Sequence, residues 1–573
     1  MFERAKIRED LMSTWNRRAR LLAFFAVVFS MGLSALHADN DGVLTGVVKD
    51  NAGAPVVGAF VKIKNDARKL TFMVISQAQG KYSIDRLPYG KYTVQGIGGE
   101  VESKWTSNVD VAASKPGAAD VALDTQRAPA LAPAWPFELP GGGGGEAAMV
   151  RPGVAKPTLP DGAGKAIVEA KCLTCHDVAR TINARADKAR WTRIIEDMRG
   201  YAQGSSFAED LTDAEEKVLF DYVSENFSNR GNAGRATPVP DPNARLPRRL
   251  MTGDEMRYVA VEFEMPDIKA EPHEVTVDTD GNGWITERVG GKLGKLHPKT
   301  YQYTVVNPPP VKTKTVRLNG IWAGPNNKIW FVDGGPSRRW LSLDSKSLEF
   351  TTYNLPKTKS GQVSGNTMRT HPNGTVWMNA IGTNTVWRLD PKTKQFDSWE
   401  VPTGVKMGRS ASPYGMAIDG AGYVWVMLNA VNKMGRVHPV TGHIDEYDIP
   451  VPNSFPRKAG FDAHGDIWVG LHGAGKLMKI DHKTTKFTVF SPPTEDSGVY
   501  AASVDHKNDI VWIAQQHVDK IASFDPKTEK FVEYPLAQAE EDHRRLEVDQ
   551  NNPKRIWWSG NLTGRIGYIE LLD

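Results

Sequence analysis

The sequence predicts a mostly β, multidomain protein with an immunoglobulin-like sandwich, a small all-α unit and a seven-bladed β-propeller. In the C-terminal part, tryptophans recur every 43 to 48 residues, which is the length of a four-stranded propeller blade. Near the N-terminus, short runs alternate polar and apolar residues between glycine and proline turns. Between these two regions, apolar residues recur at helical spacing around the two cysteines.

Length, charge and cysteine content exclude several classes of protein. A chain of 573 residues is long enough for about three to four domains. With 40% hydrophobic and 24% charged residues, it has the composition of an ordinary globular protein. A net charge of +4 without a basic tract argues against a nucleic-acid partner. The only cysteines, Cys172 and Cys175, exclude a disulfide scaffold and a four-cysteine zinc site.

Residues 1–38 have the layout of an export signal. Arg17, Arg18 and Arg20 precede an uncharged run over 21–36, and small residues precede Asp39. This order is typical of a cleaved signal peptide, and the run is shorter than the roughly 20 residues that a spanning helix needs. We therefore expect a periplasmic protein with no membrane span in the mature chain. The alternative is an uncleaved N-terminal anchor.

Residues 39–125 predict a small antiparallel β-sandwich. Alternating runs at 42–50, 58–64, 80–84, 90–97 and 121–124 are separated by turns rich in glycine, proline and asparagine. The stretches GVVKD, GAP and LPYGKY within this region resemble the carboxypeptidase regulatory-like domain. That resemblance implies an accessory module without chemistry of its own.

Two linkers set off the helical unit at 161–230. Residues 126–160 are rich in proline, alanine and glycine and include five consecutive glycines. Residues 231–256 contain four prolines and separate the helical unit from the repeats.

Residues 257–573 predict a propeller of seven blades. The repeating tryptophans lie at 284, 330, 377, 425, 468, 512 and 557. The seventh repeat ends before its fourth strand, and residues 258–266 supply a similar strand before the first repeat. We expect that strand to complete the last blade and close the ring, which leaves no open edge.

Cys172, Cys175 and His176 form a C-x-x-C-H motif, which is typical of covalent c-type haem attachment. The spacing lets both thiols reach the haem vinyl groups while the histidine reaches the iron. A thioredoxin-type redox pair would need a βαβ setting, and a zinc site would need two more ligands. We expect one covalent haem c on Cys172 and Cys175, with His176 as an axial ligand.

The flanking helices suit a small all-α cytochrome c domain. Residues 164–178 are predicted to be the haem-bearing helix, and 187–202 place Trp191 and Met198 on one apolar helical face. A capping box begins at Thr212. The segment resembles monohaem class I cytochromes c. We expect Met198 to be the second axial ligand, because a thioether raises the haem potential; the alternative is that Met198 only packs in the core.

The repeat pattern D-G-x-x-W resembles the virginiamycin B lyase (streptogramin lyase) family of seven-bladed propellers. That resemblance implies a histidine and a glutamate at the central opening and a magnesium ion that assists an elimination. One blade retains this form, with His273 and Glu287 as the candidate catalytic pair. The other blades lack the pair, and the alternative is that the two side chains only form hydrogen bonds within the propeller.

Residues eleven positions before the blade tryptophans are expected to line the propeller axis, with a longer offset in the last two blades. They are His273, Asn319, Asn366, Tyr414, Arg457, Tyr500 and Arg544.

Three functions follow from these features. The first is a periplasmic c-type cytochrome whose propeller recognises a small molecule or a redox partner, while the haem passes single electrons. Since no nucleotide fingerprint is present, an electron-transfer subunit of an oxidoreductase is favoured over a self-sufficient enzyme. The second is a lyase-like C–O elimination enzyme at the propeller mouth. The third is a haem-containing binding or sensor protein.

Overall fold

The protein is mostly β and multidomain, with an immunoglobulin-like N-terminal domain and a propeller-like β region. The computed structural model describes residues 41–131 except 114, 158–172, 188–202, 211–227, and 241–572 except 312–315, 335–336, 357–364, 409 and 562. The predicted signal peptide, Cys175 and His176 lie outside the described residues. Within them, no helix is long and apolar enough to cross a membrane.

The N-terminal domain is a sandwich of two sheets. Its strands are β1 (Gly42–Asp50), β2 (Phe60–Asn65), β3 (Leu70–Ile75), β4 (Lys81–Leu87), β5 (Gly90–Gly98), β6 (Val101–Glu102), β7 (Val109–Val111), β8 (Gly117–Ala118), β9 (Val121–Leu123) and β10 (Thr125–Gln126). One sheet pairs β4, β1 and β8, with β9 also on β1, and the other has the order β10-β6-β5-β2-β3, with β7 on β5. The predicted sandwich is therefore confirmed, but β3 was not among the predicted strands.

A small helical unit follows the sandwich in sequence. It contains α1 (Lys165–Ile167), a π turn (Val168–Cys172), α2 (Lys188–Ala202) and α3 (Asp213–Asn226). The predicted capping box is confirmed, since the Thr212 side chain accepts from the Glu215 amide while the Glu215 carboxylate accepts from the Thr212 amide. Such reciprocal bonds satisfy two amides that the first helical turn leaves unpaired. The predicted helix 164–178 is described only as far as Cys172.

The propeller has six blades of four consecutive antiparallel strands. These are β12 (Pro272–Val277), β13 (Gly283–Glu287), β14 (Lys292–Leu296) and β15 (Tyr303–Val306) in blade 1; β16 (Leu318–Ala323), β17 (Lys328–Asp333), β18 (Arg339–Asp344) and β19 (Phe350–Asn354) in blade 2; β20 (Gly365–Thr370), β21 (Val376–Ala380), β22 (Thr385–Asp390) and β23 (Gln395–Glu400) in blade 3; β24 (Pro413–Ile418), β25 (Val424–Leu428), β26 (Lys433–Val437) and β27 (Ile444–Asp448) in blade 4; β28 (Pro456–Phe461), β29 (Ile467–Leu471), β30 (Lys476–Ile480) and β31 (Phe487–Phe490) in blade 5; and β32 (Val499–Asp505), β33 (Ile510–Gln515), β34 (Lys520–Asp525) and β35 (Lys530–Pro535) in blade 6. Helix α4 (Pro402–Met407) joins blades 3 and 4.

The recurring tryptophans are buried between blades, where their turns fix them. In blade 1, the Trp284 indole donates to Asp278 at 2.7 Å, and the same aspartate accepts from the amides of the turn that follows it. Trp425 and Trp468 repeat this bond with the aspartate six positions earlier, each at 2.9 Å. The regular spacing of these tryptophans along the chain therefore reflects a recurring turn and a packing position rather than a ligand site.

The seventh blade is completed from the other end of the propeller sequence, as predicted. Strands β36 (His543–Val548), β37 (Arg555–Gly560) and β38 (Arg565–Leu571) are followed in the sheet by β11 (Tyr258–Glu264), which pairs antiparallel with β38. The innermost strands β36 and β12 are in contact, so the ring is closed between blades 7 and 1.

The outer edge of blade 7 is covered by the sandwich. Strand β3 pairs antiparallel with β11, with Val261 opposite Phe72, so one continuous sheet runs from the sandwich into the last blade. The buried cores on both faces of this sheet contain residues of both domains. An unpaired edge would be open to other chains, and here the N-terminal domain occupies it.

We expect Phe72→Leu to lower the free energy of unfolding of the propeller by about 1 kcal/mol. Phe72 is 1% exposed, and its ring meets that of Tyr301 in blade 1 edge-on at 5.5 Å. Urea unfolding followed by tryptophan fluorescence measures the effect, since most tryptophans lie in the propeller. Val57→Ala, at a residue that is 42% exposed, is the control. An unchanged propeller transition in Phe72→Leu would mean that the two domains unfold independently.

Candidate functional site

The candidate site of the propeller lies along its axis. The innermost strands run in the same direction, so the axis has two different ends. We call the end where these strands begin the upper mouth; it holds the seven residues predicted from the tryptophan spacing, all of them 7% exposed or less: His273, Asn319, Asn366, Tyr414, Arg457, Tyr500 and Arg544. The lower mouth is the end where the same strands finish, at Val277, Ala323, Thr370, Ile418, Phe461, Asp505 and Val548.

Aromatic rings meet across the upper mouth. The hydroxyl groups of Tyr414 in blade 4 and Tyr500 in blade 6 are hydrogen-bonded at 2.5 Å, although another blade lies between them. The Arg457 guanidinium lies over the Tyr414 ring at 4.4 Å and over the Tyr500 ring at 5.1 Å. A cation in this position is attracted by the ring faces. Three of the seven predicted positions, Tyr414, Arg457 and Tyr500, are therefore in contact with one another.

His273 is buried as a neutral imidazole. Burial holds its pKa well below the ordinary value, and the positive charges of Arg288, Lys458 and Arg544 act in the same direction. Its Nδ1 lies 3.9 Å from a Glu274 carboxylate oxygen and has no hydrogen-bond partner among the described residues. The lowered pKa keeps this imidazole neutral and makes it a weaker base than an exposed histidine.

Glu287 faces a different environment from His273. Its carboxylate accepts a hydrogen bond from the Tyr303 hydroxyl on the outermost strand of the same blade at 2.7 Å. The tyrosine reaches across Gly294, where an added Cβ would lie 1.9 Å from its hydroxyl oxygen. Burial raises the pKa of Glu287, while the bond from Tyr303 opposes that shift. In the described residues, the carboxylate that approaches His273 within 4 Å is that of Glu274.

A second polar network at the upper mouth was not predicted from the sequence. His472 Nε2 is hydrogen-bonded to Gln516 Oε1 at 2.7 Å, and the His472 ring lies 4.7 Å from that of His517. The Gln516 amide donates to Asp542, which also accepts from Arg544 at 2.9 Å. Because Asp542 neutralises Arg544, this arginine is less available to an anion than its position suggests. His472, Gln516 and His517 occupy turns between second and third strands, outside the repeat position that sequence analysis followed.

His543, at the start of β36, predicts a pH dependence of stability. It is fully buried, its Nε2 is 2.9 Å from the Lys520 carbonyl oxygen, and burial lowers its pKa from 6.5 to about 4. The unfolded chain therefore binds a proton below pH 6.5 that the folded chain refuses until about pH 4, so stability falls as the pH drops through this range. We expect the stability advantage of wild type over His543→Gln to shrink by about 1.4 kcal/mol per pH unit there. Urea unfolding at several pH values measures it, and a constant difference would contradict the assignment.

A buried ion pair closes the axis between the two mouths. Lys458 Nζ in blade 5 is bonded to a Glu274 oxygen in blade 1, and both side chains are 0% exposed. Lys458 also lies 3.4 Å from the Thr367 hydroxyl oxygen in blade 3. The upper and lower mouths are therefore separate sites.

The described residues contain no group of three or more histidine, cysteine, aspartate or glutamate side chains arranged to hold a metal ion. Magnesium at the propeller therefore stays a prediction. In chemical terms, the upper mouth offers neutral imidazoles as proton acceptors, tyrosine hydroxyls as donors and arginine cations. Such a set suits a small polar molecule.

The described part of the predicted haem site lies in the helical unit. Cys172 ends the π turn and is half-buried against a small core that contains Val168, Trp191 and Tyr222. Met198 is half-buried on α2, seven positions after Trp191. Lys171, next to Cys172, forms an ion pair with Glu215 at 2.9 Å, which ties this turn to the start of α3.

Comparisons with known proteins match the two β domains. Residues 304–572 match the virginiamycin B lyase family, and residues 43–124 match the carboxypeptidase regulatory-like domain. No curated protein matches the chain.

Among solved structures, a streptogramin B lyase is 19% identical, covering 56% of this chain and 100% of its own, with a TM-score of 0.49. A catalytically inactive virginiamycin B lyase from Staphylococcus aureus with quinupristin is 18% identical, covering 54% and 98%, with a TM-score of 0.48. Hydrazine synthase from Kuenenia stuttgartiensis is 12% identical, covering 53% and 97%, with a TM-score of 0.43. The chain thus carries a carboxypeptidase regulatory-like domain and a virginiamycin B lyase-like propeller.

Proposed function

We propose that the chain is an exported c-type cytochrome in which the helical unit carries one covalent haem and the propeller recognises a substrate or a redox partner. The observation that carries this proposal is the C-x-x-C-H motif at Cys172, Cys175 and His176. The export signal supports it, because the proposed periplasmic location is one where such proteins mature. Bound haem supplies one-electron chemistry.

The helical unit has features that fit a haem. Ile167, Cys172, Ile194 and Phe220 are half-buried around its small core, so an apolar surface adjoins the first cysteine of the motif. The core is held by α2 and α3, and the Trp191 indole donates to the Phe227 carbonyl at 3.4 Å. In this proposal, Cys172 and Cys175 attach the haem, and His176 and Met198 hold its iron.

Met198→Ala is expected to lower the reduction potential of the haem, because loss of thioether ligation removes the ligand that raises it. Redox titration followed by visible spectroscopy measures the change. Met407→Ala is a matched control, since Met407 is 40% exposed on the propeller. A potential and spectrum equal to wild type in Met198→Ala would remove Met198 from the coordination sphere while leaving the covalent attachment unaffected.

The experiment that tests the function is an anaerobic visible spectrum of the matured protein before and after addition of candidate substrates. Reduction of the haem by a substrate in stoichiometric amount would establish oxidation chemistry within this chain. Reduction only by a second protein, captured from the periplasm, would establish an electron-transfer subunit. A matured protein without haem would overturn the proposal.

A lyase-like elimination at the upper mouth is the second candidate function. The observation that favours it is the neutral His273 imidazole, buried at the upper mouth with an unpaired Nδ1. In this mechanism, His273 would accept the proton whose loss opens a C–O bond. The orientation of Glu287 toward Tyr303 gives it a positioning role at most.

The test of the second candidate is turnover of cyclic ester substrates by wild type and by His273→Asn. Turnover that survives loss of both haem cysteines but not of His273 would support a lyase. Absence of turnover in the wild type, with magnesium supplied, would overturn it.

A further inference from the structure

The lower mouth contains a cavity that the proposed functions do not use. Its volume is about 280 Å³, and its wall is formed by the ends of innermost strands from several blades. The Lys458–Glu274 ion pair separates it from the upper mouth. The residues of this cavity that matter here are Trp322, Arg369, Ser503, Arg545 and Glu547.

Arg369 brings a buried positive charge to the cavity wall. It is 3% exposed, and its guanidinium donates to the carbonyl oxygens of Met368 at 2.7 Å and Ala459 at 3.2 Å. The guanidinium lies over the Trp322 ring at 4.2 Å. In the described part of the chain, no carboxylate lies within ion-pair distance of Arg369. Burial, together with the charge of Arg545, lowers the pKa of Arg369 to about 9.

Arg545 adds a second guanidinium, at 5.6 Å from the Trp322 ring. It is 1% exposed, and it donates to Glu547, which also accepts from the Ser503 hydroxyl at 3.2 Å. Its Nε and one terminal nitrogen have no hydrogen-bond partner among the described residues. The cavity wall thus holds two buried guanidinium groups and one carboxylate, and only Arg545 is paired with that carboxylate. Buried charges of this kind are normally paired.

We propose that the lower mouth binds a small organic carboxylate between Arg369 and Arg545. Glu547 balances one of the two guanidinium charges, and the negative charge of the ligand would balance the other. A carboxylate also accepts two parallel hydrogen bonds from one guanidinium. Ile329, Phe461, Val504 and Val548 line the same cavity and would cover a carbon skeleton, which an inorganic oxyanion lacks. At about 280 Å³, the cavity is large enough to hold a molecule of the size of benzoate.

The test uses benzoate on the full-length protein, with benzamide as the uncharged analogue of the same shape. We expect benzoate to raise the melting temperature in proportion to its concentration and to give a measurable heat of binding, whereas benzamide does neither. Phosphate and sulfate should bind more weakly than benzoate. Equal effects of benzoate and benzamide would overturn the proposal, and stronger binding of phosphate than benzoate would overturn the carboxylate assignment.

Variants locate the site. Arg369→Gln should weaken benzoate binding at least tenfold, since a hydrogen bond to a charged partner contributes about 1.5–3 kcal/mol. It should fold at least as stably as wild type without ligand, because it removes an uncompensated buried charge. Arg369→Lys keeps the charge but not the fork and should bind benzoate weakly. Arg388→Gln is the matched control. The Arg388 guanidinium also stacks on a tryptophan, lying 5.2 Å from the Trp399 ring, but Arg388 does not line the cavity. Benzoate binding that persists unchanged in Arg369→Gln and Arg369→Lys would overturn the proposal, because benzoate would then bind at another place.

Discussion

We expect the double variant Cys172→Ala/Cys175→Ala to carry no covalent haem after export, whereas the wild-type chain carries one. Each thiol forms one thioether bond to the porphyrin, so each single variant should keep at most one bond and lose most of its haem on denaturation. Mass spectrometry of the denatured chain and haem staining measure the attachment directly. Full covalent haem in both single variants would contradict the site.

The helical unit also makes this experiment interpretable. Among the described residues, Cys172 lies at the edge of the core of this unit, where it is half-buried. The tryptophan fluorescence of the propeller should therefore stay unchanged in the double variant, which separates loss of haem from loss of fold. His176→Ala is the matched variant: it keeps both thioethers but removes an axial ligand, so covalent haem should remain with an altered spectrum. Zinc in place of haem in the wild type would overturn the assignment.

The propeller could be predicted from the sequence because its units repeat. The blade tryptophans, their turns and the missing fourth strand of blade 7 are all local features, and ring closure follows once the strands are counted. Strand β3 could not be found in the same way. Its residues Leu70–Ile75 are all buried, and its two faces belong to the two cores on either side of the continuous sheet. A strand without an exposed face shows no alternation.

The site was predictable to a similar extent. Equivalent positions of different repeats meet at the upper mouth, as Tyr414 in blade 4 and Tyr500 in blade 6 show. The polar residues of the turns, such as His472 and Gln516, follow no repeat and depend on tertiary contacts. The orientation of Glu287 also depends on a tertiary contact, the hydrogen bond from Tyr303, which could not be predicted from its spacing to His273.

The buried column of charges on the axis leads to the second large effect. Its cations are Lys458, Arg369 and Arg545, and its carboxylates are Glu274 and Glu547, so the column carries one excess positive charge. Removing Glu274 raises the excess to two, whereas removing Lys458 brings it to zero. Removing Glu274 should therefore cost more stability than removing Lys458.

We expect Glu274→Gln to destabilise the propeller by about 3–5 kcal/mol, as is usual when one member of a buried pair is removed. Lys458→Met should cost less, because Arg369 still acts on the remaining Glu274 charge. The double variant should be more stable than Glu274→Gln alone. Urea unfolding of all four proteins measures this cycle, and a larger cost for Lys458→Met than for Glu274→Gln would contradict the charge count.

The pH dependence of that cycle gives an independent check. Burial is the main cause that lowers the pKa of Lys458, and without Glu274 the attraction that opposes this shift is lost. The pKa of Lys458 in folded Glu274→Gln should then lie further below that of the unfolded chain than it does in wild type. The stability of the variant should therefore rise relative to wild type between neutral and alkaline pH, and the cost of the substitution should fall. At a pH where Lys458 stays protonated, the same substitution should tighten benzoate binding at the lower mouth, since the column then carries a second uncompensated positive charge. Glu274→Gln that is destabilised without any gain in benzoate affinity would mean that the column and the cavity are electrostatically independent.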